Sequence, residues 1–372
     1  MKKVLHISKY YFPFIGGTEQ VARDCVLALK DTTEQKVICF NHEKGNIIDK
    51  VDDVEVTRVN CQMKVASQSI ALSYGKKLKK LIKEFQPDVV IFHYPNPFVA
   101  HSLLKFRKKK NFKLLIYWHL DITKQKILGK LFHGQNKRLI KMADKILGAT
   151  PIHIEKSRYY EFFKDKAVVL PYAINQERLE ISKDEIKKAE QIKKDNEGKT
   201  ICFAIGRHVP YKGMEYLIRA SKLLDDNYKI YIGGDGPLTN SLKELAKDDQ
   251  KIIFLGKITD STWRSYLKAC DIFCFPSVTK NECFGLALAE AMYYKKPVIT
   301  FTIPCSGVNY VSIKDVTGLE CENSNYEEYA NAIKTLANDK DLAKKFVEEG
   351  YKRVTSYFIF EEFKKNIGGI IE

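Results

Sequence analysis

The sequence predicts an α/β protein with two domains, each built on a doubly wound parallel sheet. Short apolar runs rich in β-branched and aromatic residues alternate with amphipathic helical segments, as in a parallel sheet covered on both faces. The alternation forms two series, separated by a Lys- and Glu-rich stretch at residues 176–199. At 372 residues, the chain is also longer than one core of common size. We therefore expect domains at residues 1–171 and 172–355, with the ligand in a cleft between facing units.

The first series begins with an apolar run, Val4–Ile7, and a loop, Ser8–Gly17, that ends in a double glycine. Thr18 is positioned to cap the helix that follows, because Val21, Cys25, Ala28 and Leu29 recur at helical spacing. The remaining predicted strands of this series are Val37–Phe40, Val54–Val59, Val89–His93, Leu114–His119 and Ala167–Leu170.

The second series repeats the same alternation of strand, loop and helix. Its predicted strands are Ile201–Ile205, Lys229–Ile232, Ile252–Leu255, Ile272–Phe275 and Pro297–Thr300. The tail, residues 356–372, carries three phenylalanines, so we expect a final helix there.

The composition is that of an ordinary globular protein, with 45% hydrophobic and 29% charged residues. The nine cysteines are scattered without CxxC pairs, which favours free thiols in a reducing compartment over disulfides or a zinc site. The N-terminus lacks the pattern of a secretory signal, and no apolar run approaches the length of a membrane span. These features favour a cytoplasmic location.

The net charge of +16 lies entirely in the first half of the chain. Residues 1–171 contain 32 Lys and Arg against 16 Asp and Glu, whereas residues 172–372 contain 30 of each. Residues 101–150 alone contain 13 basic and 2 acidic residues. A lysine-rich composition accounts for an excess of positive charge but not for its asymmetry. The asymmetry indicates either a nucleic acid or an anionic membrane surface as a partner.

A loop of the second half carries two cations in a pattern that suits a diphosphate. Arg207 follows a predicted strand end, and Lys212 and Gly213 follow five and six residues later. A fork-shaped guanidinium and a point-charge ammonium on one loop can both bind phosphate oxygens, although exposed charges on such a loop are also common. The glycine-rich Ile232–Pro237 follows the next strand, but it lacks the GxGxxG of a dinucleotide fingerprint and also fits a plain turn.

The stretch NECFGLALAEAM, residues 281–292, places two glutamates seven residues apart around an apolar run. Phe284-Gly285-Leu286 is expected to start a helix whose first free amides form an anion site. Glu290 lies one turn beyond Leu286 among apolar residues and needs hydrogen-bond donors, which the vicinal hydroxyls of a ribose supply. Glu282, ahead of the amides, can accept hydrogen bonds from the hydroxyls of a sugar whose phosphate they hold.

These motifs resemble those of the retaining family 4 glycosyltransferases, which have the GT-B fold of two facing Rossmann-like domains. Glu282 and Glu290 match the family's E-x7-E pattern, and Arg207 and Lys212 match its G-R-x4-K-G pattern. The further matches are Gly16-Gly17-Thr18-Glu19, Gly233–Pro237, Thr317-Gly318-Leu319 and Phe358-x-Phe360. They follow the family's order and spacing over essentially the whole chain. In the family, the tail crosses back onto the first domain.

The resemblance implies a role for each matched residue. Glu290 is expected to bind the ribose of a nucleotide-diphosphate sugar, Glu282 the donor sugar, and Arg207 and Lys212 the diphosphate. His119 stands where the family keeps a histidine beside the reacting sugar. The implied catalytic residues are His119, Glu282, Arg207 and Lys212. The implied donor-binding residues are Gly16, Gly17, Arg207, Lys212, Glu282, Cys283, Phe284, Gly285, Leu286 and Glu290.

The loop Pro304–Val311 departs from the pattern of many members, because it lacks the glutamate of their G-G-x-x-E loop. It is similar to that of the subgroup that builds O-antigen and capsule chains. We therefore expect a retaining glycosyltransferase that uses a glycan or lipid-linked saccharide acceptor in surface polysaccharide assembly. GDP-mannose, UDP-hexoses and UDP-N-acetylhexosamines all remain open as donors.

The resemblance also implies that no cofactor and no metal ion is needed. Leaving group and acceptor share one face of the sugar, and the cations and the helix N-terminus stabilise the departing diphosphate, whose oxygen can deprotonate the acceptor hydroxyl. The D-x-D match at Asp339-Lys-Asp341 lies in an acidic helical segment far from any strand end. We expect those two carboxylates to lie on the surface.

Two other classes of function remain as alternatives. One is a different sugar-nucleotide enzyme of the same architecture; a phosphorylase normally carries a pyridoxal lysine motif and a longer chain, and an epimerase has no need of the G-G-x-E loop. The other is a basic protein that binds nucleic acid or a membrane without transferase activity. No nucleic-acid-binding module is recognisable, so we expect no nucleic-acid partner.

Two basic segments predict contact with an anionic membrane. Leu103–Leu115 and Lys124–Leu147 mix lysines with Leu, Ile and Phe. In the second segment, Ile127, Leu128 and Leu131 can share a helical face flanked by Lys126, Lys130 and Lys137. A solvated basic face above a buried stripe is the alternative. A membrane-bound helix would place the enzyme peripherally on the inner face of the membrane, near a lipid-linked acceptor.

Overall fold

The structure is a computed structural model that describes residues 1–14, 16–65, 68–107, 112–121 and 132–372. Contacts divide these residues into two units. Unit 1 consists of Met1–Ala173 and Phe360–Glu372, and unit 2 consists of Ile174–Ile359. The boundaries expected from the sequence, at residues 171 and 355, compare with 173 and 359 in the structure.

Unit 1 contains a largely parallel sheet whose central strands are mostly buried. Its described strands are β1 (Lys2–Ile7), β2 (Thr33–Asn41), β3 (Ile47–Val51), β4 (Val54–Asn60), β5 (Met63–Val65), β6 (Gln68–Ile70), β7 (Val89–Tyr94), β8 (Lys113–Trp118), β9 (Lys145–Gly148) and β10 (Ala167–Val169). The main sheet has the order β10-β9-β8-β7-β1-β2-β4-β3, and only the edge pair β3–β4 is antiparallel. Strands β5 and β6 form a separate hairpin. All six residues of β7 are buried, as expected of a strand covered on both faces.

The described helices of unit 1 cover its sheet. They are α1 (Gly17–Leu29), α2 (Tyr74–Phe85), α3 (Pro97–Arg107), α4 (His133–Met142), α5 (Pro151–Glu155), α6 (Tyr160–Phe163) and, from the tail, α16 (Phe360–Ile371). Helix α16 packs against α1, and Lys113 donates a hydrogen bond to the carbonyl of Ile370 at 2.9 Å. The tail is thus part of unit 1 in the structure.

Unit 2 contains a second sheet, in which every strand pair is parallel. Its strands are β11 (Thr200–Ile205), β12 (Tyr228–Gly233), β13 (Ile252–Gly256), β14 (Ile272–Phe275), β15 (Val298–Phe301) and β16 (Leu319–Cys321), in the order β13-β12-β11-β14-β15-β16. The helices are α7 (Gln176–Leu179), α8 (Lys183–Asp195), α9 (Met214–Ser221), α10 (Thr239–Leu245), α11 (Asp260–Ala269), α12 (Leu286–Tyr293), α13 (Val308–Val311), α14 (Tyr326–Asn338) and α15 (Lys340–Tyr357).

The predicted fold class of two doubly wound α/β units is confirmed, with local differences. Strands β3, β5, β6, β9 and β16 were not expected, because each has five residues or fewer. Helix α1 begins at Gly17 with Gly16 as its N-cap, so the expected cap at Thr18 is wrong. The tail helix begins at Phe360 rather than Ser356, since α15 continues to Tyr357.

Each sheet contains one point at which the strand order reverses. In unit 1 it lies between β1 and β7, and in unit 2 it lies between β11 and β14. Connections leave such neighbouring strands toward opposite faces of the sheet, so a crevice opens at their carboxyl ends. The loops that follow these four strands are therefore expected to carry a ligand site.

Candidate active site

The crevice of unit 2 contains an ion pair between two of the predicted residues. Lys212 follows β11 and Glu282 follows β14, and their side chains pair directly. The Ser277 hydroxyl also donates to the Glu282 carboxylate, at 3.2 Å. Burial lowers the pKa of Lys212, but Glu282 and Tyr211 together outweigh burial, so the net pKa is raised. Lys212 is therefore held as a cation at this point of the sheet.

The two loops of this crevice touch through their backbones. The Val278 amide donates to the carbonyl of Tyr211 at 2.9 Å. Gly213 has a φ of 61°, and a Cβ there would collide with the carbonyl oxygen of Pro276. Glycine is required at Gly213 for both reasons, because other residues rarely adopt this backbone and have no room for a side chain. The K-G pair of the motif thus brings the lysine close to the glutamate loop.

Arg207, on the same loop as Lys212, is exposed. Lys212 is paired, but within the described part of the chain the Arg207 guanidinium has no hydrogen-bond or ion-pair partner. The amide of the next residue, His208, donates to the carbonyl of Asp235 at 3.0 Å, which fixes this loop to the one after β12. Arg207 therefore projects a fork of unengaged donors from an anchored loop.

Helix α12 begins beside this ion pair with its first turn uncapped by any side chain. Its N-cap, Gly285, has a φ of 91°, a left-handed backbone that favours glycine. The preceding Phe284 is fully buried, with its ring edge-on to Phe358 at 5.2 Å. The Phe-Gly-Leu turn therefore anchors the loop by its phenylalanine and turns the chain at its glycine. The amides of the first helical turn are left to bind an anion.

Glu290, in the middle of α12, is buried and has a partner that the sequence did not reveal. Arg178 of α7 donates directly to its Oε1. The same guanidinium lies 3.5 Å from Asp260 and has its Cζ 5.2 Å from the ring centre of Trp263. Burial raises the pKa of Glu290, and the Arg178 charge opposes that rise. The expected ribose contact of Glu290 stays a prediction, since a protein cation already engages one of its oxygens.

In unit 1, the double glycine lies at the start of α1. Gly16 is the N-cap, with an extended backbone and no side-chain cap, and Gly17 is the first helical residue. Glu19 is buried and accepts a hydrogen bond of 2.9 Å from the Thr18 hydroxyl. A Cβ on Gly16 would strike the Glu19 carboxylate, so the G-G-x-E motif is a local packing unit as well as an amide site.

His119 lies directly after β8 and is buried with both ring nitrogens engaged. Its Nε2 lies 3.1 Å from Nδ1 of His93, and its Nδ1 is hydrogen-bonded to the Tyr172 hydroxyl. Burial lowers the pKa of His119 to about 3, so the ring is neutral. His6 of β1 extends the group, with its ring 6.4 Å from that of His93. The predicted contact of His119 with a sugar is not tested by these internal hydrogen bonds.

The remaining predicted features lie elsewhere in the structure. Asp339 is exposed and caps α15 by accepting from the Leu342 amide at 2.9 Å, and Asp341 is also exposed, as expected for the D-x-D match. The Pro304–Val311 loop is tied to Glu282, because the Ser306 hydroxyl donates to the Glu282 carbonyl. All nine cysteines are free thiols, and Cys283 of the predicted donor site is half-buried. Lys108–Lys110 and residues 122–131, which carry most of the membrane prediction, lie outside the described residues.

Two kinds of feature are absent from the described residues. No cluster of His, Cys, Asp and Glu among them is placed to hold a metal ion. No helix among them is long and apolar enough to cross a membrane.

Comparison with known families divides the chain at nearly the same place as the two units. The profile of Glycosyltransferase Family 4 matches residues 15–178, and that of Glycosyl transferases group 1 matches residues 184–353. Among relatives, the O-antigen chain mannosyltransferase C of Escherichia coli is 24% identical and aligns over 96% of this chain and 94% of its own length. D-rhamnosyltransferase WbpZ of Pseudomonas aeruginosa is 27% identical over 90% of this chain and 86% of its own length.

Solved structures share the fold over the whole chain. Sucrose-phosphate synthase from Thermosynechococcus elongatus matches with a TM-score of 0.83 at 18% identity, covering 100% of this chain and 98% of that one. HepE of Anabaena, solved with UDP and glucose, matches with a TM-score of 0.78 at 18% identity, covering 100% and 99%. The predicted GT-B fold is confirmed. The chain belongs to the glycosyltransferases: its first half matches the family 4 profile, and its second half matches the group 1 profile.

Proposed function

We propose that this glycosyltransferase moves a sugar from a nucleoside diphosphate to a glycan or lipid-linked saccharide in surface polysaccharide assembly, with retention and without a metal ion. One observation carries the proposal: the Lys212–Glu282 pair lies at the carboxyl ends of β11 and β14, beside the exposed Arg207 and the uncapped start of α12. Two cations and a set of free amides at a strand-order reversal suit a diphosphate.

The nucleotide-sugar donor has support from relatives as well as from this geometry. HepE was solved with UDP-glucose, and the relatives from Escherichia coli and Pseudomonas aeruginosa are named for mannosyl and rhamnosyl transfer. These names differ in the sugar, so we propose the class of donor and leave its base and sugar to experiment.

The proposed reaction keeps leaving group and acceptor on one face of the donor sugar. The bond between the anomeric carbon and the diphosphate oxygen breaks, and a bond from that carbon to the acceptor oxygen forms. The proton of the acceptor hydroxyl passes to the departing diphosphate oxygen. Arg207, Lys212 and the amides of α12 stabilise the negative charge that develops on the diphosphate. When the donor binds, its phosphate replaces the Glu282 carboxylate as the partner of Lys212. Glu282 is then free to bind hydroxyls of the sugar.

The first experiment identifies the donor and then the stereochemistry. A thermal-shift screen with a panel of GDP-, UDP- and dTDP-sugars is expected to give stabilisation by one base and one sugar. NMR of the transfer product should then show the anomeric configuration of the donor. Transfer should continue in EDTA at an unchanged rate. An inverted product would exclude retention, and a loss of activity in EDTA that Mg²⁺ or Mn²⁺ restores would exclude metal independence.

We further propose that the basic half of the chain holds the enzyme on an anionic membrane near its acceptor. The support is the excess of 13 basic over 2 acidic residues in residues 101–150. Basic residues near an anionic surface contribute about 1 kcal/mol each, so four engaged lysines give reversible binding.

Liposome flotation tests the membrane proposal separately from the transfer reaction. Binding should require anionic lipid, fall as salt rises and drop when Lys108, Lys109 and Lys110 are changed to Glu. The matched control changes three exposed lysines of unit 2 to Glu, namely Lys340, Lys344 and Lys345. Equal binding to neutral liposomes, an equal loss in the control, or no binding at low salt would each contradict the proposal. The assignment of transferase activity would stand in all three cases.

A further inference from the structure

The ion pair between Arg178 and Glu290 joins residues that are 112 positions apart in the sequence. Arg178 lies on the four-residue helix α7, directly after the chain has entered unit 2. The Glu290 side chain is 8% exposed, and that of Arg178 is 27% exposed. This contact therefore lies on the inner side of α12, where the sequence offers Glu290 only apolar neighbours.

Three hydrogen bonds fix the backbone of Arg178 and of Leu179 beside it, so the Arg178 side chain starts from a defined position. The Asn175 side chain caps α7 by accepting from the Arg178 amide at 3.2 Å. Arg264 of α11 donates to the Arg178 carbonyl at 2.8 Å. Tyr294, four residues after Glu290, donates from its hydroxyl to the Leu179 carbonyl at 2.6 Å. Side chains from the N-cap of α7, from α11 and from the end of α12 thus hold the segment that brings Arg178 to Glu290.

A second ion pair supports the first. Arg264 pairs with Glu185 at 2.6 Å, and Glu185 also completes a capping box with Ser182 at the start of α8. Arg264 therefore cannot move from the Arg178 carbonyl without breaking its own pair. The outer side of the Arg178 guanidinium lies on Trp263 and near the exposed Asp260.

Stability alone does not explain an ion pair whose carboxylate is buried and whose guanidinium is partly buried. Removing two charges from water costs several kcal/mol per ion, and apolar residues of the same volume often stabilise such a site as well or better. A carboxylate at this position without a cation would take up a proton, because burial raises its pKa. The pair is explained if the site needs a charged carboxylate, which accepts hydrogen bonds about twice as strong as those of a neutral group.

We infer that Arg178 is a positioning residue for the nucleotide: it holds the Glu290 carboxylate charged and in one orientation, so that its other oxygen receives the ribose hydroxyls. This inference rests on the proposed role of Glu290 in the donor site. In it, Arg178 engages Oε1 and does not itself contact the nucleotide.

The consequence is a pH dependence that appears only when Arg178 is removed. The charged groups facing Glu290 are Arg178 on α7 and Asp260 on α11, and Tyr294 with the Arg264–Glu185 pair lies beyond them. Arg264 lowers the pKa of Glu185 to about 2, and burial raises that of Tyr294, so neither titrates between pH 5.5 and 8.5. Without Arg178, burial and Asp260 both raise the pKa of Glu290. Its carboxylate is then lost as the pH falls and regained as the pH rises.

Calorimetric titration of the full chain with UDP and with GDP, from pH 5.5 to 8.5, tests the inference. Affinities of Arg178→Gln are divided by those of the unsubstituted protein at each pH, which removes the titration of the diphosphate itself. We expect Arg178→Gln to lose about tenfold in affinity at pH 5.5 and about threefold or less at pH 8.5. Arg178→Lys should restore a flat ratio, because it restores the cation.

Two double variants assign the pH dependence to one carboxylate. Arg178→Gln with Glu290→Gln should bind weakly at every pH, since no carboxylate is left to titrate. Arg178→Gln with Asp260→Asn should keep its pH dependence. Asp260→Asn alone is the matched control and should bind both nucleotides as the unsubstituted protein does.

The results distinguish a failure of this inference from a failure of the proposed function. A loss that is equal at all pH values in Arg178→Gln, or no loss, would overturn the inference and leave the donor site intact. Unaltered binding in Glu290→Gln would instead overturn the ribose role of Glu290 in the proposed function. Thermal unfolding of each variant, with a midpoint near that of the unsubstituted protein, establishes that the binding data come from folded protein.

Discussion

At the reversal of strand order, unit 1 carries neutral histidines, whereas unit 2 carries charged pairs. His6, His93 and His119 follow one another across β1, β7 and the end of β8, all buried, with ring centres 6.4 and 5.3 Å apart. Burial lowers the pKa of each. In unit 2, the Lys212–Glu282 and Arg178–Glu290 pairs keep charged groups at α12 and the loop before it.

This difference runs opposite to the overall charge of the two halves. The first half of the chain carries the whole net charge of +16, and the second half carries none. Unit 1 does contain buried ions, such as Arg58 paired with Asp49 on the edge strands. The ion pairs described for the strand-order reversals nevertheless lie in the neutral half. The proposed diphosphate site is therefore marked by paired charges at a strand-order reversal, whereas the net charge of a half does not locate a site.

The largest effect is expected when the cation of the unit 2 crevice is removed. Lys212→Ala removes the proposed phosphate-binding charge and leaves Glu282 without its counter-ion, so both donor binding and charge stabilisation should be weakened. We expect turnover to fall about 100-fold or more, with a weaker affinity for the nucleotide-sugar. Initial rates and calorimetry measure the two effects. Lys222→Ala, an exposed lysine of the same unit, is the control, and an equal loss there would contradict the assigned role.

For Glu282, the partner of Lys212, we expect a smaller effect, and one that differs between nucleotide binding and turnover. Glu282→Gln keeps the shape of the side chain but frees Lys212 for phosphate, so UDP or GDP should bind as well as before or about threefold tighter. Turnover should still fall about tenfold or more, because the sugar loses a charged acceptor. Rates near those of the unsubstituted protein would show that Glu282 has no role at the sugar. Weaker binding of the free nucleotide would show that the carboxylate does not compete with phosphate.

The sequence predicted the members of the unit 2 crevice because their motifs are local. Glu282, Gly285 and Glu290 lie in one stretch of twelve residues, and a lysine before a glycine at a strand end indicates a phosphate loop. Arg178 was missed because it precedes Glu290 by 112 residues, on a helix of only four residues with no amphipathic pattern to detect.

Unit 1 shows the same limit for neutral groups. Each of the three histidines was visible in a predicted strand, but their stacking depends on the register of β1 beside β7 and of β7 beside β8. Tyr172 follows Pro171 at the end of the unit and was read only as a boundary, although its hydroxyl bonds His119. A periodic pattern places residues on a face of the sheet, whereas register decides which of them meet.

The histidines predict that unit 1 is the more acid-sensitive unit. The folded pKa values of His6 and His119, about 4 and 3, lie below the ordinary 6.5, so stability is present above pH 6.5 and is lost as the pH falls toward them. At pH 5, each of these two histidines lowers the free energy of unfolding by about 2 kcal/mol relative to its value well above pH 6.5. Among the described residues, burial lowers the pKa of one histidine in unit 2, His208, against three in unit 1. Glu185, whose pKa is lowered to about 2, loses its contribution only below pH 4.5.

One tryptophan lies in each unit, so fluorescence can follow the acid unfolding of each unit separately. Trp118 reports on unit 1 in a Trp263→Phe variant, and Trp263 reports on unit 2 in a Trp118→Phe variant. The Trp118 signal should change at a higher pH than the Trp263 signal. His6→Asn should move the unit 1 transition to lower pH, whereas His101→Gln, an exposed histidine, should leave it in place. A single shared transition at one pH would contradict the difference between the units.

The smallest effect is expected from Tyr294, whose hydroxyl helps to fix the Arg178–Glu290 ion pair. Tyr294→Phe deletes only the hydroxyl that donates to the Leu179 carbonyl, one of the bonds that hold the segment of Arg178 against α12. Losing this hydrogen bond should cost about 1 kcal/mol in the free energy of unfolding of unit 2, followed by the fluorescence of Trp263 in urea. Nucleotide affinity should weaken about twofold to threefold, because Arg178 then holds Glu290 less firmly, while Arg264 still anchors its carbonyl. Tyr293→Phe is the matched control, since within the described residues its hydroxyl has no hydrogen-bond partner. An effect of Tyr294→Phe on stability without any effect on affinity would show that Arg178 keeps its place without this anchor.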